Sequence, residues 1–102
     1  MLLMTTRQEQ IMIHLYGQLG YGNTYEMPYK TTQDGIAEAI GISRSHVAVE
    51  IKKLEEKGFV YHLQRHVTAS PKRAYAQRMC YRLNALGILT VRDMLAYREG
   101  VA

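Results

Sequence analysis

Residues 31–60, TTQDGIAEAIGISRSHVAVEIKKLEEKGFV, contain two short helical patterns that meet across a three-residue turn. The first pattern spaces its apolar residues for one helix face, with Ile36, Ala37 and Ile40. The Thr-Thr pair directly before it can start the helix, Gly41 permits a sharp turn, and Ser43 can cap the second helix. This spacing predicts a helix-turn-helix over about residues 32–57.

The second helical pattern, residues 44–57, separates an apolar stripe from a polar face. Its stripe consists of Val47, Ile51 and Leu54, which predicts a buried side. The opposite face has cations and small residues that can approach base edges or phosphates, and the candidate DNA-binding residues here are Ser43, Arg44, Ser45, His46, Ala48, Val49, Lys52 and Lys53. Two alternatives stay open: the cations form a merely solvated face, and His46 packs beside the turn instead of reaching a phosphate.

The chain beyond this helix is rich in positive charge. Residues 57–92 contain no Asp or Glu but seven Lys or Arg. A polar tip at 68–73 follows one extended run, and the next run alternates apolar residues with Arg78 and Arg82, as a half-buried strand does. The pattern predicts a wing over about 60–83, in which Arg65, Lys72 and Arg73 contact the DNA backbone or the minor groove.

Three segments resemble winged helix-turn-helix transcription regulators, most closely the MarR-like and archaeal types. They are VAVEIKKLEEKGFV at 47–60, RHVTASPKR at 65–73 and Tyr81-x-Leu83-Asn84-x-x-Gly87. The resemblance covers about residues 25–90, and it implies binding to double-stranded DNA, usually as a homodimer on a palindrome. The chain departs from the family in its short terminal regions and in Val49, which stands where a basic residue is common.

The flanking segments complete the predicted architecture. Thr6-x-x-Glu9 predicts a capping box and a first helix from about Arg7 to Leu19, and Met27-Pro28-Tyr29 predicts a short edge strand. Asn84 can cap a C-terminal helical segment at about 84–99, with a break possible at 87–90. The expected fold is mainly α with a small β-hairpin: one domain over residues 1–102, with a three-helix core, a wing and an extra C-terminal helix.

Composition and motif content narrow the function classes. The net charge of +4 favours a polyanionic partner. Cys80 is the only cysteine, so a disulfide framework is excluded, although a redox-sensing thiol with a pKa lowered by nearby arginines is an alternative. His46, His62 and His66 lack nearby carboxylate or thiolate ligands, so we expect no metal and no cofactor. No catalytic constellation is present and no segment resembles a signal peptide or membrane span, so we expect a cytoplasmic protein that is not an enzyme.

The predicted function is sequence-specific binding of double-stranded DNA by a transcription regulator. Apolar residues in the first and last helices predict a homodimer. A small-molecule effector has no specific support, since the tyrosines at 16, 21, 25 and 29 suit core packing as well as a ligand cavity. The alternatives are a protein-interaction winged helix and the DNA-targeting domain of a larger protein such as an ATPase. The operator, and whether binding represses or activates, do not follow from the sequence.

Overall fold

Four α-helices and a three-stranded sheet form the part of the chain that the computed structural model describes, residues 4–23, 25–67 and 77–100. The elements in chain order are α1 (Thr6–Tyr16), β1 (Glu26–Met27), a 3₁₀ helix (Tyr29–Thr31), α2 (Gln33–Ile40), α3 (Arg44–Glu56), β2 (Val60–Val67), β3 (Gln77–Leu83) and α4 (Ala85–Arg98). The predicted fold class is confirmed: the molecule is mainly helical, with a small sheet.

The helix-turn-helix forms through the local signals that predicted it. Thr32 caps α2, and its hydroxyl accepts a hydrogen bond from the Gly35 amide at 3.1 Å. Gly41 ends α2 with φ 74°, a left-handed conformation that favours glycine. Ser43 then caps α3 by accepting from the His46 amide at 3.2 Å. These three residues fix where each helix begins and ends.

One hydrophobic core holds the four helices and the base of the sheet together. The predicted stripe of α3 is buried, with Val47, Ile51 and Leu54 at most 1% exposed. Its partners in the core include Ile11, Met12, Leu15, Ile36, Phe59, Leu83 and Val91. The burial of this apolar surface makes the main favourable contribution to the free energy of folding. It also packs the inner side of α3 against the other elements of the core. The outer side of α3 is therefore held rigidly.

The sheet has the strand order β1-β2-β3. β2 and β3 are antiparallel, in a register that pairs Val60 with Leu83 and His66 with Gln77. β1 is parallel to β2 at the edge of the sheet, where an edge strand was predicted. The strand ends at Met27, before Pro28, and Tyr29 begins the 3₁₀ helix. The two predicted strands of the wing are thus present. The predicted wing tip with Lys72 and Arg73 lies outside the described residues.

The limits of α1 differ from the prediction. The helix begins one residue earlier, because Thr5 is the N-cap and forms a capping box with Gln8, not Thr6 with Glu9. It ends at Tyr16 instead of near Leu19. Gly17 follows as the C-cap, and residues 17–20 form turns. A glycine at this point has little helix propensity, and a second glycine follows at position 20.

α4 is continuous, so the break that the sequence left open at 87–90 does not occur. Asn84 caps it as expected, through a bond from the Gly87 amide at 2.9 Å. Thr90 starts no new helix, because its hydroxyl donates to the Leu86 carbonyl, 2.7 Å away, one turn earlier. Gly87 lies where α4 crosses Phe59, and a Cβ there would overlap the Phe59 carbonyl oxygen. The glycine permits close packing and does not interrupt the helix.

The apolar surface available for dimerisation differs from the one predicted. Ile11, Met12 and Leu15 of α1 are buried in the protein's own core, and so is Val91 of α4. The surplus apolar face predicted for α1 is therefore largely absent. On α4, by contrast, Leu86 and Leu89 are 50% and 55% exposed.

No helix in the described part of the chain has both the length and the apolar character needed to cross a membrane.

Candidate nucleic-acid interface

The solvent side of α3 carries most of the residues assigned to DNA. Arg44, Ser45, Val49, Lys52 and Lys53 are exposed and Ala48 is half-buried; we call these six residues the α3 face. Ser45, Val49, Lys52 and Lys53 lie across the helix from the buried stripe of Val47, Ile51 and Leu54, whereas Arg44 and Ala48 lie nearer to its edge. Small or uncharged side chains occupy its centre, and cations stand at both ends. A nucleic acid can approach such a surface closely and meet positive charge along it.

The turn before α3 brings two further predicted residues to the surface. Ser43 and His46 are both exposed. The Ser43 hydroxyl holds the His46 amide and lies 3.1 Å from the Ser45 hydroxyl, so the first turn of α3 is fixed by side chains. The His46 imidazole remains accessible to a phosphate.

Asp34 links α3 to β3, the second strand of the predicted wing. Its Oδ1 lies 3.5 Å from Arg44 Nε, and its Oδ2 accepts a hydrogen bond of 3.0 Å from Arg78 Nη1. The carboxylate thus holds one arginine of α3 and one of β3, each through its own oxygen. Asp34 lies in the first turn of α2, where the helix dipole also favours a negative charge.

A shallow cleft of about 340 Å³ surrounds this pair of contacts. Its lining combines the start of α2, the start of α3 and β3, with Thr32, Gln33, Asp34, Arg44, Arg78, Met79 and Tyr81. Tyr81 Oη accepts a hydrogen bond from Gln33 Nε2 at 2.9 Å, which is a second link between α2 and β3. The cleft lies beside the α3 face, not among the tyrosines that follow α1.

Several cations of the basic segment 57–92 are bound within the protein. Arg82 donates to the Leu19 carbonyl at 2.9 Å, and Lys57 donates to Gln8 Oε1 at 2.9 Å. Half-buried Arg65 donates to the Gln64 carbonyl at 2.7 Å. On α3 itself, Lys53 pairs with Glu50 at 3.4 Å. These contacts hold several of the cations against the protein, and the ion pair with Asp34 also offsets the charge of Arg78.

Cys80 is buried, which argues against the alternative that nearby arginines activate it as a redox-sensing thiol. It packs with Met27 of β1 and Val67 of β2, and Thr32, the N-cap of α2, pairs with it through a β-bridge. Burial raises the pKa of the Cys80 thiol, and the nearby Arg65 lowers it only in part. The thiol is therefore neutral at physiological pH, and the alternative of an arginine-activated redox sensor is wrong.

The strand histidines have contacts of their own. His62 Nδ1 lies 2.7 Å from Glu55 Oε2 near the end of α3, and its ring meets the Tyr81 ring edge to face. Within residues 4–23, 25–67 and 77–100, no three His, Cys, Asp or Glu side chains are grouped to hold a metal ion.

Comparison with known proteins bears on this arrangement. The model of the family "Winged helix-turn-helix DNA-binding" matches residues 29–61, which span α2, the turn, α3 and the start of β2. The chain has the winged helix-turn-helix fold. The resemblance to MarR-like winged helices that the sequence indicated is confirmed at the level of the fold by solved structures.

MepR, a transcription regulator of the Staphylococcus aureus multidrug efflux pump MepA, has a TM-score of 0.70 at 21% identity, over 95% of this chain and 59% of that chain. The S. aureus MepR–DNA complex gives a TM-score of 0.71 at 23% identity, over 95% of this chain and 66% of that one. ZitR, a zinc-responsive MarR family member from Lactococcus lactis, gives 0.67 at 21% identity, over 98% and 57%.

The winged-helix domain described here spans about three fifths of the length of the MepR chain. The comparison with curated protein sequences gives no match.

The sequence alone did not indicate Asp34 or Gln33 as parts of this site. Asp34 fits an ordinary helix-start signal, and Gln33 occupies the first position of α2. Their contacts with Arg78 and Tyr81 join residues 44 and 48 positions apart in the chain. Residue spacing predicts only contacts between near neighbours in the sequence, so it could not predict these two.

Proposed function

We propose that the winged-helix domain binds double-stranded DNA and regulates transcription. The α3 face supports this proposal most directly: it is an exposed, basic helix surface with a small, uncharged centre, held rigid by the core beneath it. A helix of this kind fits the major groove, which is about 12 Å wide. The family model that matches residues 29–61 describes the same DNA-binding motif.

The proposed contacts divide into base recognition and backbone binding. Arg44, Ser45, Ala48, Val49 and Lys52 of the α3 face would meet base edges. Ser43, His46 and Lys53 would bind phosphates beside them, and the wing would bind the backbone or minor groove through Arg65, Lys72 and Arg73.

We also propose that the domain acts as a homodimer in the cytoplasm. One recognition helix and one wing cover about half of a typical operator, whose two half-sites lie about one helical turn apart. A dimer would bind both half-sites at once, with a gain in affinity over the monomer. A chromosome-binding regulator of bacterial type works in the cytoplasm.

A second candidate is the DNA-targeting part of a longer polypeptide. The α3 face and the family model at residues 29–61 support DNA binding by such a part as well. The protein-interaction alternative has less support, because Val49 is the only large apolar residue in the α3 face, and an acidic protein partner would have to bind mainly through charge.

Titration with DNA tests the proposal. The chain is titrated with a random-sequence duplex at two salt concentrations, and a preferred duplex is selected from a randomised pool. We expect affinity to fall steeply with salt, and Arg44→Ala to cost about 1 to 3 kcal/mol on the preferred duplex and much less on random DNA, because a bidentate arginine–guanine contact is lost.

Two results would count against the proposal. Failure to bind any duplex at low salt refutes DNA binding altogether. Equal losses on both duplexes would make Arg44 a phosphate contact, and the base readout assigned to it would be wrong.

A further inference from the structure

We propose that Asp34 is a positioning residue for base recognition: it holds the guanidinium of Arg44 at the start of the recognition helix, in the orientation that reads a base. The inference rests on the proposed DNA binding and adds a specificity-determining residue that itself touches no DNA. It follows from the contacts of three side chains, one each from α2, α3 and β3.

The contact on Arg44 involves the inner nitrogen of its guanidinium. Arg44 Nε lies 3.5 Å from Asp34 Oδ1, and the Arg44 side chain remains 65% exposed. An arginine recognises guanine through two parallel hydrogen bonds, which its terminal amino groups can donate while Nε faces elsewhere. A carboxylate beside Nε therefore steadies the guanidinium and leaves its base-reading edge free.

Asp34 is itself held in place from the other side. Arg78 Nη1 donates to Asp34 Oδ2 at 3.0 Å, and the side chains of Arg78 and Asp34 are only 27% and 31% exposed. Arg78, which is half-buried in the sheet, thus holds Asp34 in place. Asp34 in turn orients the more exposed Arg44. Each carboxylate oxygen serves one arginine, so the two contacts do not compete.

Fixing Arg44 in this way favours specificity over general affinity. A free arginine loses side-chain entropy when it docks on a base, and an arginine that is already oriented loses less. The same carboxylate repels phosphates, so it contributes nothing to binding that rests on the backbone alone. Asp34 should therefore strengthen binding to the preferred duplex and should not strengthen binding to random DNA.

The test is the ratio of the association constants for a preferred duplex and for a random duplex of equal length. The preferred duplex is selected from a randomised pool by the unsubstituted chain. In Asp34→Asn we expect this ratio to fall about fivefold or more, the lower end of what one bidentate arginine contact contributes to discrimination. Affinity for random DNA should stay unchanged or rise, because a negative charge has been removed.

Two further variants separate this role from other effects of a lost charge. Glu38→Gln removes the same charge from the same helix, where Glu38 accepts a hydrogen bond from Tyr29 Oη, and it should leave the ratio unchanged. In an Arg44→Ala background, Asp34→Asn should cause no further fall in the ratio, because its effect passes through Arg44. Asp34→Glu should recover part of the ratio, and Asp34→Ser replaces Asp34→Asn if that variant does not fold.

Each contrary result has its own meaning. An equal fall on both duplexes would show a structural role, and an equal rise would show simple repulsion of DNA; either overturns the inference. The inference is also overturned if Asp34→Asn lowers the ratio as much in the Arg44→Ala background as in the parent chain. If the unsubstituted chain binds DNA without any sequence preference, the proposed sequence-specific function fails, and this inference fails with it. An unchanged ratio in Asp34→Asn beside a clear preference in the parent overturns only the role of Asp34.

Discussion

Arg82 in β3 donates through Nη2 to the main-chain carbonyl of Leu19, 2.9 Å away, in the loop that follows α1. Arg82 Nη1 also lies 3.7 Å from the Met27 sulfur, at the edge strand. The half-buried guanidinium thus ties the sheet to the end of the first helix. This contact distinguishes Arg82 from the exposed cations of the α3 face.

We predict that Arg82→Met lowers the free energy of unfolding by about 1 to 2 kcal/mol, because a charge-assisted hydrogen bond to a carbonyl is lost. The salt dependence of DNA binding should not change. Urea denaturation and a salt titration check the two parts. Arg92→Met, which removes an exposed cation of α4, is the matched control and should leave stability within about 0.5 kcal/mol. A flatter salt slope in Arg82→Met would instead make Arg82 a phosphate contact.

The wing prediction concerns Lys72 and Arg73. If both bind phosphates, the double change to Ala should weaken binding to every duplex alike and flatten the plot of log affinity against log salt by roughly two units. Arg7→Ala with Arg92→Ala removes two exposed cations elsewhere and should leave the slope as it was. If the slope is unchanged in the wing variant, the wing assignment is wrong.

Gly35 is predicted to be essential for the packing of α2. A Cβ at this position would overlap the carbonyl oxygen of Tyr29 in the 3₁₀ helix. Gly35→Ala should therefore destabilise the fold by about 1 to 3 kcal/mol, although alanine is the better helix former. Gly20→Ala is the control, since a Cβ there meets nothing within 4 Å. Thermal unfolding decides the matter: equal melting temperatures for the two variants would contradict the predicted overlap.

The buried thiol predicts a loss of stability at alkaline pH. Burial raises the pKa of Cys80 in the folded state, so its contribution is fully present below the thiol pKa of the unfolded chain, about 8.5. The contribution is lost as the pH rises through the higher folded-state pKa. Burial also raises the pKa of Tyr81, which acts in the same direction at higher pH.

Unfolding free energies at pH about 8 and about 10 should therefore differ more for the parent chain than for Cys80→Ala, whose remaining pH dependence comes from groups such as Tyr81. The Cys80 thiol should also resist alkylation at neutral pH until the protein unfolds. Equal pH dependence in the two proteins, or rapid alkylation of the folded chain, would show that Cys80 is accessible.

Dimerisation is expected to use α4. A dimer has a mass near 23 kDa, twice the 11.7 kDa of the chain, and sedimentation equilibrium at micromolar concentration measures it directly. Leu86→Ser with Leu89→Ser should shift the mass toward the monomer, because these exposed side chains would lose apolar burial in the interface. Tyr21→Ser with Tyr25→Ser changes two exposed apolar residues elsewhere and serves as the control. A strictly monomeric parent that binds a palindrome tightly would contradict the proposal.

The helix-turn-helix could be predicted from the sequence because its determinants are local. Thr32, Gly41 and Ser43 act within one helical turn of the residues they cap or stop, and the stripe of α3 repeats at the period of the helix itself. The two strands of the wing followed from the same kind of signal. The candidate residues of the α3 face could likewise be named in advance, since the face across from a buried stripe must meet solvent.

The tertiary structure alone decided which polar groups remain free and which apolar residues are buried within the domain. Asp34 and Arg78 meet across 44 positions of chain, and Arg82 reaches Leu19 across 63. Cys80 is buried because it packs with Met27 and Val67 from two other strands and pairs with Thr32 beside α2. Such contacts depend on how whole elements pack. Packing depends on the shapes of side chains that are far apart in the sequence, so a short repeating pattern cannot predict it.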